Sequence, residues 1–159
     1  MNVMEEIAGE ICKILLPVEE KLYFGNPNSP IIVCTLSSMR LLKEIATSSL
    51  MDKISVAGRL FSENKGIDLL VRHVISNKKI KTIILCGKDS TGHYAGHSIL
   101  CLHLNGIDQN GMIIGSKSPN PILSLTNDEV LRFQKQVKII DKIGETDISN
   151  LKQKINAEF

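Results

Sequence analysis

The chain is 159 residues long, 43% hydrophobic and 23% charged, with a formal net charge of +2. A length like this builds one hydrophobic core and is short for two. The basic residues are scattered, only Lys78, Lys79 and Lys81 cluster, and no aromatics interleave with them, which argues against a nucleic-acid surface.

The four cysteines, Cys12, Cys34, Cys86 and Cys101, form no CxxC pair, and Cys34 and Cys86 lie in apolar runs, where cysteine acts as a small buried hydrophobe. That usage suits a reducing compartment. Acidic residues come early and no small-residue cleavage motif follows, so no signal peptide is expected. No apolar stretch approaches the roughly 20 residues of a bilayer-crossing helix. The expectation is a soluble, cytoplasmic chain with no membrane segment.

In chain order, residues 4–16 place Ile7, Ile11, Ile14 and Leu15 on one helical face, and Pro17 ends that helix. The cluster Gly25-Asn26-Pro27-Asn28-Ser29-Pro30 is a loop. Residues 31–36 are a continuous apolar run, the pattern of a strand buried on both faces. Ser37 or Ser38 can cap the helix that follows, with Leu41, Leu42 and Ile45 on its inner side.

Residues 53–57 read as a second strand, followed by a polar loop over 58–66. Ile67, Leu70, Val71, Val74 and Ile75 then define a helix stopped at Asn77. Residues 81–86 form the strongest strand, and a helix from about 93 to 104 ends at Asn105-Gly106. Further on, residues 112–114 suggest a short strand and 115–121 a loop. Residues 128–140 suggest a helix, although 138–141 also fit a strand. Residues 146–159 read as a polar helical tail, so the division expected is 1–16, 17–145 and 146–159.

Three strand–loop–helix units with apolar strands predict an α/β fold with a mostly parallel sheet and helices on both faces. Ligands in such sheets bind outside the carboxyl ends of the strands. The residues brought to that edge are Thr35, Ser37 and Ser38, then Gly58, Ser62, Glu63, Asn64 and Gly66, then Gly87 and the loop to His93. Taken singly, each could merely turn or cap the chain. Their concentration at one edge suits a large polar ligand approached closely by backbone.

The sharpest local signal is Gly92-His93-Tyr94-Ala95-Gly96-His97. Gly92 and Gly96 either leave room beside His93 for something wide and flat, or let the helix pack close to the sheet. The positive end of the helix dipole disfavours imidazolium and keeps the ring of His93 available as a ligand. His93 and His97 also have the i, i+4 spacing of a zinc pair, without the glutamate of HExxH or an obvious third ligand. His73 and His103 read as structural or exposed. Dinucleotide-binding GxGxxG, the P-loop and the GxSxG elbow are all missing from the sequence.

Several blocks carry a specific resemblance. They are Cys34-Thr35-Leu36-Ser37-Ser38, the run from Ala57 to Ile67, Val74-Ile75-Ser76-Asn77, Ile84-Leu85-Cys86-Gly87 and the His93 block. Asn105-Gly106-Ile107-Asp108, Ile113-Ile114-Gly115 and the stretch from Phe133 to Gly144 continue it. In this order the blocks resemble the A subunit of tetrahydromethanopterin S-methyltransferase over roughly residues 17 to 145.

The resemblance implies a Rossmann-like fold and a cobamide, the cobalt-containing cofactor of the vitamin B12 type. It also implies a methyl group carried from methyl-tetrahydromethanopterin toward coenzyme M with partner subunits. His93 matches the histidine that ligates cobalt, and the edge-loop residues named above, with Gly96 and Gly115, match the surroundings of the cofactor. Family members usually carry a membrane anchor after a linker. This chain instead reads as a truncated domain or a soluble homologue, with His97 in place of an expected glutamine and an unfamiliar loop at 116–121. The competing expectations are a cobamide storage module without methyl transfer, and an α/β interaction domain that has lost the cofactor.

Overall fold

Two runs of β-branched and other apolar residues set the centre of the protein. In a computed structural model, which describes residues 22–159, they form strands β2 (Ile31–Cys34) and β4 (Thr82–Gly87), buried along their whole length. Successive side chains point to opposite faces, so Ile31 and Val33 enter one core while Ile32 and Cys34 enter the other. β4 divides likewise, with Ile84 and Cys86 on one side and Ile83 and Leu85 on the other.

The sheet is completed by β1 (Leu22–Phe24), β3 (Val56–Gly58) and β5 (Lys138–Ile143), in the order β1-β3-β2-β4-β5. All neighbours are parallel except β1, which runs antiparallel to β3. Helix α1 (Met39–Ala46), a 3-10 turn (Ser49–Lys53) and α5 (Ile148–Glu158) cover one face. On the other lie α2 (Lys65–Ser76), α3 (Ala95–Asn105) and α4 (Asn127–Gln136). Since β3 and β4 flank β2, right-handed crossovers send α1 and α2 to opposite faces. The expected parallel α/β architecture is the one observed.

The differences lie mainly at the margins. The short edge strand β1 was not expected. The second parallel strand starts at Val56 rather than residue 53, because residues 49–53 wind into the 3-10 turn. Residues 112–114 make only isolated bridges, Ile107 with Ile113 and Met112 with Ile122. Of the two readings for residues 138–141, the strand holds, and α4 stops at Gln136.

The segment expected as a polar tail is core. Leu151 and Ile155 of α5 are fully buried against Ile31, Val33, Ile84 and neighbouring side chains. At about 1.5–3 kcal/mol for each fully buried side chain, the pair contributes roughly 3–6 kcal/mol. The helix expected at residues 4–16 lies outside the described residues. No helix among the described residues is long and apolar enough to cross a membrane.

Candidate functional site

The sheet reverses its winding direction between β2 and β4, and the crevice at such a switch point is where open α/β sheets bind ligands. Here the loops after the two strands are laced together. Ser37 donates to the Lys88 carbonyl from both its amide (3.0 Å) and its hydroxyl (2.7 Å), and the Lys88 amide donates to Ser38 Oγ at 2.9 Å. Ser38 occupies the N-cap of α1 but makes no side-chain cap, because its hydroxyl serves Lys88. Gly87 allows this approach: a Cβ there would lie 2.3 Å from the Thr35 carbonyl oxygen, and its φ is +75°. Below the lacing, Thr35 Oγ1 is buried and has no hydrogen-bond partner among the described residues.

The loop after β3 brings the partner of His93. Glu63 is 3% exposed, and its Oε2 lies 2.9 Å from His93 Nδ1. A carboxylate only accepts, so Nδ1 carries the proton of that bond, and in the neutral imidazole this tautomer leaves the lone pair on Nε2. Nε2 has no partner among the described residues, and the His93 side chain is 36% exposed. The Phe61 ring lies beside the imidazole at a centroid separation of 5.5 Å, tilted 47° to it, with the Arg59 guanidinium 5.0 Å from the Phe61 centroid. The pair therefore spans the loops after β3 and β4, over the carboxyl end of β2.

His93 sits in a turn just ahead of α3, not on the helix as expected, and the helix begins at Ala95. Asp89 accounts for this start. Its carboxylate accepts from the amides of Gly96 (2.8 Å) and His97 (3.0 Å), while Ser90 Oγ accepts from Ala95 (3.2 Å). The chain then turns through Gly92 (φ +84°) and a left-handed Tyr94 (φ 51°).

The other expected site residues divide into three groups. Ser62 and Asn64 bond to each other at 2.6 Å and cap α2, Asn64 accepting from the Lys65 amide at 2.7 Å. Gly58 lies in the ladder, its carbonyl accepting from the Thr35 amide, and Gly66 packs under Leu60. Gly115 turns the chain beside Asn105 and Cys101.

For Gly96, of its two readings, the structure favours close packing. The residue is buried, and a Cβ would meet Leu36 Cδ1 at 2.8 Å and Ile143 Cδ1 at 3.0 Å. Its missing side chain serves close helix–sheet packing and opens no space beside His93. Gly92 does face open space, with nothing within 4 Å of the point where a Cβ would stand.

His97, spaced from His93 like a zinc pair, has contacts of its own. His97 Nδ1 accepts from the Lys117 amide at 3.4 Å and lies 3.8 Å from Cys101 Sγ. No group of three or more His, Cys, Asp or Glu able to hold a metal ion occurs among the described residues. His103 is structural, bonding the Val137 carbonyl at 2.8 Å and meeting Phe133 edge-on. Sequence reasoning missed Glu63 as the imidazole's partner, along with Phe61 and Ser118, whose hydroxyl donates to the His93 carbonyl.

Fold and site together define a parallel α/β domain that presents one oriented, accessible imidazole at its switch-point edge. The chain belongs to the family of the tetrahydromethanopterin S-methyltransferase A subunit, whose sequence profile matches residues 16–159. It is 38% identical over 136 residues to the A subunit of the putative methyltransferase Mtx from Methanosarcina barkeri, covering 85% of this chain and 64% of that protein. To the tetrahydromethanopterin S-methyltransferase A subunit of Methanocaldococcus jannaschii it is 38% identical over 133 residues, covering 82% and 54%. The chain thus spans between about half and two-thirds of these relatives' lengths.

Proposed function

We propose that the chain is a corrinoid-binding methyl carrier in which His93 ligates the cobalt of a cobamide through Nε2. The observation that carries this reading is the His93–Glu63 pair: a buried carboxyl group holds one imidazole nitrogen at 2.9 Å and leaves the other to an incoming group. That is the usual arrangement behind a metal-ligating histidine, where the partner fixes the tautomer and raises ligand basicity. A bare metal ion would need several protein ligands. A corrin would bring most of the ligands of its metal with it, so a single protein donor, His93, would suffice to hold it, which matches a site with one available imidazole.

When bound, the cofactor supplies the nucleophilic, methyl-carrying metal centre, and the protein supplies position and electrostatics. His93 offers its lone pair, and Glu63 keeps the Nδ1 proton in place. Phe61, backed by Arg59, limits the tilt of the ring. Thr35 Oγ1 is the buried group whose hydrogen bond is left to be made, and it fits a ligand rich in amides entering the crevice. The names of the relatives support methyl transfer that involves tetrahydromethanopterin. The family resemblance adds coenzyme M as the acceptor, reached in company with partner subunits. The isolated chain is then expected to bind cofactor without turnover.

The test is the visible absorption spectrum of the desalted protein after incubation with cobalamin, beside His93→Ala. Retained corrinoid with a histidine-ligated spectrum in the parent, changed in the variant, supports the reading. A parent that retains no corrinoid removes it.

A further inference from the structure

The backbone of His93 is held from a second direction. Asp89 takes the amides of Gly96 and His97, and left-handed Tyr94 interrupts the helical path, so α3 supplies no donor to the His93 carbonyl. Its partner is the Ser118 hydroxyl, which also lies 3.3 Å from the Tyr94 carbonyl. Ser98 Oγ bonds Ser118 Oγ, and Ser116 Oγ bonds Ser98 Oγ at 2.7 Å. Ser98 is fully buried and Ser118 is 9% exposed. With one proton per hydroxyl, the order Ser116 to Ser98 to Ser118 to His93 carbonyl satisfies each member.

The same loop reaches the other half of the pair. Asn64 Nδ2 donates to the Asn120 carbonyl at 3.3 Å, one residue from Glu63 in sequence. Residues 116–121 therefore bracket both loops of the site, Ser118 on the His93 side and Asn120 on the Glu63 side.

We infer that Ser118, supported by Ser98, is a positioning residue that clamps the His93 backbone and sets how completely the imidazole ligates. This rests on the reading of His93 as a cobalt ligand. Without the hydroxyl, the His93 carbonyl is left without its partner in a half-buried turn, and the turn relaxes until it finds water. The ring is then held less firmly against Glu63 and would be a poorer donor to the cofactor. Losses of outer-shell support of this kind cost about 10–100-fold in metal affinity.

The test compares the full chain with Ser118→Ala, Ser118→Cys, Ser118→Thr and the remote control Ser76→Ala, each loaded with cobalamin and reduced to the cobalt(II) state. The readouts are the histidine-ligated fraction by paramagnetic resonance of protein carrying nitrogen-15 histidine, which separates its doublet from the triplet of the cofactor's own base, and the corrinoid affinity by titration, with thermal unfolding as the check on folding. The clamp predicts a smaller ligated fraction and an affinity at least about tenfold weaker in Ser118→Ala. Ser118→Thr should recover both, and Ser76→Ala should match the parent. Should Ser118→Ala fail to fold, the nearly isosteric Ser118→Cys, a weak donor, must show the same direction of change. A histidine-ligated parent beside serine variants indistinguishable from it overturns the clamp alone. A parent that retains no corrinoid overturns the reading of the site, and the clamp with it.

Discussion

Replacing Glu63 by glutamine keeps the side chain's shape while removing its negative charge. In the parent, Oε2 accepts from His93 Nδ1 at 2.9 Å, with the acid 3% exposed and the imidazole at the surface. The glutamine oxygen can still accept that proton, so the apo protein should fold, but the imidazole loses the field that makes Nε2 a strong donor. Changes of this kind cost about 10–100-fold in metal affinity, which is roughly 1.4–2.8 kcal/mol at about 1.4 kcal/mol per tenfold. Titration with cobalamin should therefore rank the parent tightest, Glu63→Gln weaker by that factor, and His93→Ala weaker still. An affinity for Glu63→Gln within about twofold of the parent, below the range such partners contribute, would refute the reasoning and leave Glu63 a structural acid.

Two glycines should separate a backbone clash from a soft one. In Gly87→Ala the new Cβ meets the Thr35 carbonyl oxygen at 2.3 Å at a φ of +75°, so the left-handed cost of about 1–2 kcal/mol adds to overpacking of about 1–3. Gly96→Ala meets only the ends of Leu36 and Ile143, and about 1 kcal/mol of helix propensity offsets the crowding. Denaturant unfolding should rank Gly87→Ala well below Gly96→Ala, and Gly96→Ala should keep parental cofactor affinity. Deleting residues 146–159 uncovers the face that Leu151 and Ile155 cover, so the truncated chain should lose cooperative unfolding or most of its stability rather than behave as a trimmed tail.

Of the described cysteines, Cys101 should react first with a thiol reagent in the native state, because Cys34 and Cys86 are buried. Burial pushes the Cys34 thiol up from 9.0 to about 12. A raised folded-state value contributes stability below the unfolded value, which is lost as the pH rises through the folded one. Unfolding free energy should therefore decline between about pH 9 and 12, and Cys34→Ala should flatten that decline.

The sequence announces β2 and β4 plainly, because strands buried on both faces read as unbroken apolar runs. It hides β1, whose three residues sit beside a turn cluster and gain their identity from pairing with β3. The α4–β5 boundary is ambiguous in sequence because Val137 suits both states, and β5 is set by its ladder with β4. The core role of α5 is present as Ile148, Leu151 and Ile155 at helical spacing, but the charged residues between them mask it. His93 stands out because a histidine between glycines after a strong strand has few neighbours to explain it. Glu63 falls at the right edge, yet its pairing with a residue 30 positions away is a tertiary fact that no local pattern encodes. Gly96 is open to two readings, and the positions of Leu36 and Ile143 decide between them.

The central claim, that His93 ligates the metal, is tested most directly by paramagnetic resonance of the cobalt(II) form loaded into protein whose histidines carry nitrogen-15. An axial imidazole from the protein should convert the nitrogen triplet of the unlabelled sample into a doublet, and His93→Ala should abolish the effect. A triplet that survives labelling would mean that the cofactor's own base, not His93, occupies the axial position.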